Sequence, residues 1–149
     1  MKTKSWVKKL LFGGLILLLI GAGVIWYIFS EKHEDTASVK ADYTTEAIPF
    51  IKEFEKDLKA ANGKYADKII EVTGIVTESE AADTTINIKM ADTATGSYLI
   101  FAFQQQHLQQ AKTLKPGDRA TIKGSCSDGI FSDILDTYFI SFKRSTLLK

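Results

Sequence analysis

The sequence predicts a mainly β domain with some helix, carried behind a single membrane-spanning helix. Three observations predict it. Residues 10–29 hold no charged side chain. From about residue 68 onward, short runs alternate apolar and polar side chains and are separated by turn-forming residues. With one cysteine among 149 residues, no disulfide framework is available to replace a packed core. A composition of 45% apolar and 25% charged residues also excludes a disordered tail or a collagen-like chain.

LLFGGLILLLIGAGVIWYIF, residues 10–29, is long enough as a helix to cross a hydrocarbon core of about 30 Å. Trp26 and Tyr27 suit the far interface and Trp6 the near one. Residues 1–30 hold four lysines and no acid, whereas the remaining 119 carry a formal −3. That asymmetry places residues 1–9, a basic stub with Lys2, Lys4, Lys8 and Lys9, in the cytoplasm. The carboxy-terminal domain is then periplasmic or extracellular, held at the inner membrane. A cleaved signal peptide is the rival reading, with Gly21-Ala22-Gly23 as its small-residue site. Cys126 lies far from the apolar run, which argues against a lipid-modified amino terminus.

Residues 30–45 are polar and aperiodic and read as a linker to a domain spanning 46–149. Ala47, Ile51, Phe54, Leu58 and Ala61 then fall on one helical face. Pro49 sits within the first turn, and Asn62-Gly63 is a stop signal, with room for a last turn to Tyr65. Residues 68–78 alternate as a strand, with Ile70, Val72 and Val76 inward and Gly74 marking a bend. Ser79–Asp83 reads as a turn. Ile86, Ile88 and Met90, then Leu99, Phe101 and Phe103, set the inner faces of two more strands. Leu108, Ala111 and Leu114 suggest a short helix. Lys115-Pro116-Gly117-Asp118 has the composition of a type II turn. Arg119–Ser125 is a fourth strand, Ser127-Asp128-Gly129 a turn, and Phe131–Lys143 a fifth strand whose two faces compete. Five antiparallel strands with a helix between the third and fourth is the element order of an OB-fold barrel.

Three stretches carry a family resemblance: FIKEFEKDLKAANGKYADKIIEVTGIV, LKPGDRATIKGSCSDG and SDILDTYFISF. Lys64-Tyr65, Lys68 and Val72–Val76 resemble the first-strand pattern of the tRNA-anti-like family of bacterial OB-fold proteins. Leu114-Lys115, Gly117-Asp118, Ile122–Gly124 and Cys126 resemble its fourth-strand pattern. The resemblance covers roughly residues 45–142. It implies an OB barrel and supplies no catalytic residues. Relatives often carry further cysteines near the third and fifth strands, where this chain has Ala102 and Tyr138.

The residues themselves offer no catalytic set, and the chain reads as a non-enzyme without a cofactor or metal. His33 and His107 fit no metal-ligand spacing and read as a linker residue and a helix-surface residue. Cys126 reads as a buried, inert thiol. Asp133 and Asp136 would point to opposite faces of a strand. OB barrels bind across their second and third strands. The outward candidates there are Asn87, Lys89 and Tyr98, beside Thr85 and Ile100, with Lys123 a neighbour from elsewhere in the barrel. The expected function is a membrane-anchored binding module for an envelope protein, peptide or glycan. Nucleic acid is the alternative, disfavoured by the negative domain charge and the scarcity of aromatics on that face.

Overall fold

The computed structural model describes residues 5–30, 35–82 and 84–148. Lys2, Lys4 and His33, which the sequence places in the stub and the linker, lie outside the described residues. Two compact units result, residues 1–34 and residues 35–149. The first is helix α1 (Ser5–Ser30), longer than the uncharged run. Its stretch Trp6–Phe29 is long and apolar enough to cross a membrane, and none of it is buried.

The second unit is one seven-stranded sheet in the order β1-β2-β6-β7-β5-β4-β3. Its strands are β1 (Tyr43–Glu46), β2 (Ile69–Ile75), β3 (Glu78–Ala81), β4 (Ile86–Ala91), β5 (Tyr98–Phe103), β6 (Arg119–Ser132) and β7 (Thr137–Leu147). Helices α2 (Ala47–Lys56), α3 (Leu58–Tyr65) and α4 (Leu108–Ala111), with a 3-10 turn at Gln105–His107, complete it. Seven strands replace the five expected for identifiable reasons. Residues 69–81 act as one bent strand whose first half pairs with β6 and whose second half pairs with β4. Residues 79–81, expected as part of a turn, are polar because they belong with Glu78 to an exposed edge held by backbone bonding. Residues 43–46, of which 43–45 were expected as linker, add a strand parallel to β2. The β5–β7 pairing is also parallel rather than antiparallel.

At the bend, the backbone groups are handed from one neighbour to the other without loss. Val76 N–H donates to Asp118 O (2.9 Å), Gly117 N–H to Val76 O (2.8 Å) and Thr77 N–H to Lys89 O (2.8 Å). Gly117 has a φ of +98°, the left-handed value that the third position of a type II turn requires. Ser127–Gly129, expected as a turn, is an irregularity within β6, and the chain reverses instead over residues 133–136. Asp133 and Asp136 therefore flank a hairpin tip, where Ile134 is 94% exposed.

The expected single helix breaks at Asp57. Its backbone is extended, and its carboxylate accepts from Ala60 N–H (2.9 Å), capping α3. The break lets Tyr65 fold back to donate to Glu53 Oε2 (2.8 Å). Phe50 and Phe54 enter the core against Tyr65 and Phe142. The inward residues of β2, β4 and β5 read from the alternation are all buried there. Helix α3 is pinned to β6 by Asn62, whose amide donates to Gly129 O (2.9 Å) and accepts from Gly129 N–H (2.7 Å). A Cβ on Gly129 would lie 2.4 Å from a ring carbon of Phe54, so only glycine fits beneath that ring. Cys126 is fully buried, and burial pushes its thiol up to about 12.

Residues 35–42, expected as free linker, are strapped to the barrel. Thr36 is buried. Lys123 Nζ donates to Ala37 O (3.1 Å) and Val39 O (2.8 Å). Asp42 Oδ2 accepts from Ile69 N–H (2.9 Å). His107, expected on a helix surface, is instead mostly covered, with Nε2 2.8 Å from Asp35 Oδ1. That bond, then the one from Ala37 N–H, holds the Asp35 carboxyl below its ordinary 3.8.

Three outcomes follow from this packing. Gly129→Ala should lower the unfolding free energy by about 1–3 kcal/mol. Adding Phe54→Leu should recover part of that loss, and simple additivity in urea titrations would remove the steric explanation. Cys126 should resist iodoacetamide at neutral pH in the folded protein and react in urea. A depressed carboxyl stabilises above its unfolded value, and that contribution is lost as pH falls through the folded one. Amide exchange at Ala37 and Ser38 should therefore accelerate from about pH 5 to about pH 3 beyond the intrinsic rate change. Lys123→Met should accelerate it at neutral pH. Unchanged protection in both experiments would refute the strap.

Candidate functional site

The outer surface of β4, β5 and β7 brings together three of the four side chains expected to bind. On β4, Ile88 and Met90 point inward, which turns Asn87 and Lys89 outward. On β5, Leu99 and Phe101 point inward, which turns Tyr98 outward beside Ala91 of β4. Lys89 lies opposite Ile100, one diagonal step from Tyr98, and its Nζ sits 5.6 Å from the Tyr98 ring centre. The parallel register sets Tyr98 against Phe139 of β7. Their rings stack with centres 5.9 Å apart at 16°. Ile130 of β6 pairs with Phe139 and extends this apolar surface towards the hairpin tip.

The charge on this face is settled locally. The β3–β4 register puts Glu78 opposite Lys89 and Glu80 opposite Asn87. Lys89 Nζ donates to Glu78 Oε2 (3.0 Å) and Glu80 Oε1 (2.9 Å). The hydrogen bond from Lys89, with its charge, holds the Glu80 carboxyl below the ordinary range. Glu80 first, then Glu78, raises the Lys89 ammonium above its own. Two carboxylates thus hold one ammonium, and the trio carries a net negative charge. The arrangement offers a half-buried pair of stacked rings beside an acidic edge. An incoming phosphate would have to displace both glutamates from Lys89.

Lys123 does not join this face. In the sheet order, β6 is separated from β4 by β7 and β5, so Lys123 lies across from Glu71 of β2. Its ammonium is 3.9 Å from Glu71 Oε1 and is covered by the strap. The barrel's curvature, invisible to a strand-by-strand reading, is what separates it from the other three. Phe139 was missed because the fifth strand's two faces compete in sequence, and Ile130 because a turn was expected at Ser127–Gly129, where β6 in fact continues. The placement of Ile140 and Phe142 inward resolves that competition. Among the described residues, no three side chains of the metal-ligating kinds cluster.

Solved structures with this architecture are numerous, while no curated protein matches the chain in sequence. A candidate nucleic acid-binding lipoprotein from Klebsiella pneumoniae aligns with a TM-score of 0.56 at 19% identity, covering 80% of this chain and all of that one. A candidate aspartyl-tRNA synthetase from Leishmania major aligns at 0.46 and 6%, over 79% of this chain and 22% of that one. An OBody bound to hen egg-white lysozyme aligns at 0.44 and 14%, over 58% of this chain and 86% of that one. At these identities the first likeness establishes a shared fold. The family model named tRNA_anti-like matches residues 1–135, nine-tenths of the sequence, and the chain belongs to that family.

Proposed function

We propose that the chain is a membrane-anchored OB-fold binding module whose barrel lies outside the cytoplasm and takes an envelope protein, peptide or glycan on its Tyr98 face. In this reading residues 1–9 are a cytoplasmic stub, residues 10–29 the span, and the domain from about residue 46 the part that binds. The observation that carries it is the Tyr98–Phe139 stack bordered by Lys89 held between Glu78 and Glu80. A half-buried aromatic stack with few mobile charges favours a partner recognised by apolar contact and stacking. A single-stranded nucleic acid is bound instead along a basic groove with several stacking rings, and its affinity falls steeply with salt. The lysine excess before the span supports the outward orientation.

A photo-reactive residue at position 98 in living cells should give one discrete protein or glycan adduct. Phe139→Ala should reduce its yield several-fold while the barrel stays folded by circular dichroism. Adducts with nucleic acid, or salt-sensitive binding of an oligonucleotide that Lys89→Ala abolishes, would replace this reading with the nucleic-acid one. Protease added to spheroplasts should digest the domain; full protection would reverse the topology.

A further inference from the structure

Beside the bend in residues 69–81 lies a groove of about 600 Å³, within the size range of small-ligand sites. It does not include the Tyr98–Phe139 stack. Ile48 and Pro49 from the first turn of α2, Ile75 from β2, and Met90 and Ala91 from β4 give it an apolar lining. At its base Ala47 and Met90 pack directly on Gly74, where a Cβ would come within 2.6 Å of Ala47 Cβ and 2.8 Å of Met90 Sδ. Ile48 and Ile75 stay exposed at its mouth.

The polar groups of the groove are unevenly satisfied. Arg119 Nη2 donates to both carboxylate oxygens of Glu46 (3.0 and 3.1 Å), a pair that stands more than half exposed at the rim. The Thr73 hydroxyl bonds that of Thr121, and the Thr77 hydroxyl donates to Lys89 O. Asp92 differs. Its side chain is held in a turn, with Oδ1 accepting from Ala94 N–H (2.9 Å). The residue is only 6% exposed, and among the described residues its Oδ2 has no hydrogen-bond partner. A carboxylate oxygen removed from water without a donor is costly, and a cation is the group that best relieves it.

The geometry points to a binding site for a primary ammonium carried on an apolar stem, the stem lying along Ile48, Ile75 and Met90 and the ammonium reaching Asp92. An anionic ligand would have to compete with Glu46 for Arg119 and would be repelled by Asp92. A neutral apolar ligand would leave the Asp92 oxygen unpaired. An ammonium is compact and brings three donors, which suits a single unpaired oxygen on a residue that lines a largely apolar groove.

The sequence supplies a reporter, since Met1 and Met90 are its two methionines. In the full chain, reconstituted in nanodiscs with carbon-13 methyl-labelled methionine, n-pentylammonium should shift the Met90 methyl signal saturably. Pentan-1-ol and pentanoate should bind about tenfold more weakly or worse. Asp92→Asn should weaken the amine about tenfold and leave the alcohol unchanged. Equal binding of amine and alcohol, or an unchanged amine affinity in Asp92→Asn, would overturn the proposal. Ile75→Arg puts a cation at the exposed mouth and should abolish the amine response; persistence of that response would also overturn it. This second variant keeps the test intact should Asp92→Asn fail to fold. Both ligand sources support the site and are told apart by a blocked lysine. Its binding extends the site to protein side chains, and binding of pentylammonium alone confines it to free amines.

Discussion

Residues 69–81 must serve two neighbours with one strand. β2 gives its bonding edge to β6, β3 gives its own to β4, and Val76 and Thr77 pass the backbone bonds across. Closure of the sheet depends on this transfer, because a buried backbone group left unpaired at the bend would cost as much as a lost hydrogen bond. Gly74, just before the transfer, lets Ala47 and Met90 approach the strand from one side. Helix α2 can then lay Phe50 and Phe54 into the core, and Gly129 admits the Phe54 ring in the same way. Two close approaches and one bend thus fix where the helix pair sits on the barrel.

Much of this was legible in the sequence, and the rest failed for physical reasons. The period-two runs at 86–91 and 98–103 gave their inner faces directly, because each strand has one buried side. The Pro-Gly pair announced its turn, because the left-handed φ at Gly117 suits glycine. The edge strands β1 and β3 were not legible. An edge held by backbone bonds needs no apolar pattern, and theirs are polar. Ser127-Asp128-Gly129 misled because glycine there answers to the Phe54 ring and to Asn62 instead of a reversal. Asp57 misled because a capping carboxylate in mid-pattern looks like an ordinary exposed acid until its partner, Ala60 N–H, is known.

The candidate face shows the same division. Alternation alone turned Asn87, Lys89 and Tyr98 outward. It could not show that Lys89 is already bound, because Glu78 and Glu80 reach it across a strand pairing with no sequence signature. Nor could it show that Lys123 is spent on two carbonyls of a segment 84 and 86 residues earlier. Both lysines looked like free cations, and both turned out to hold the structure together. The family's name evokes RNA, yet on this face the structure shows aromatic surface and paired charge.

The strap gives the domain a defined mechanical entry point. Among the described residues, a pull along the chain from the amino-terminal side meets the domain first at Asp35. In chain order it then meets the His107 bond, the two carbonyls gripped by Lys123, the Asp42 contact to Ile69 and finally β1. Tension is therefore taken up by a series of small polar fasteners before it loads the strand beside β2. Slack can be released in steps, freeing several residues while the paired strands keep their register.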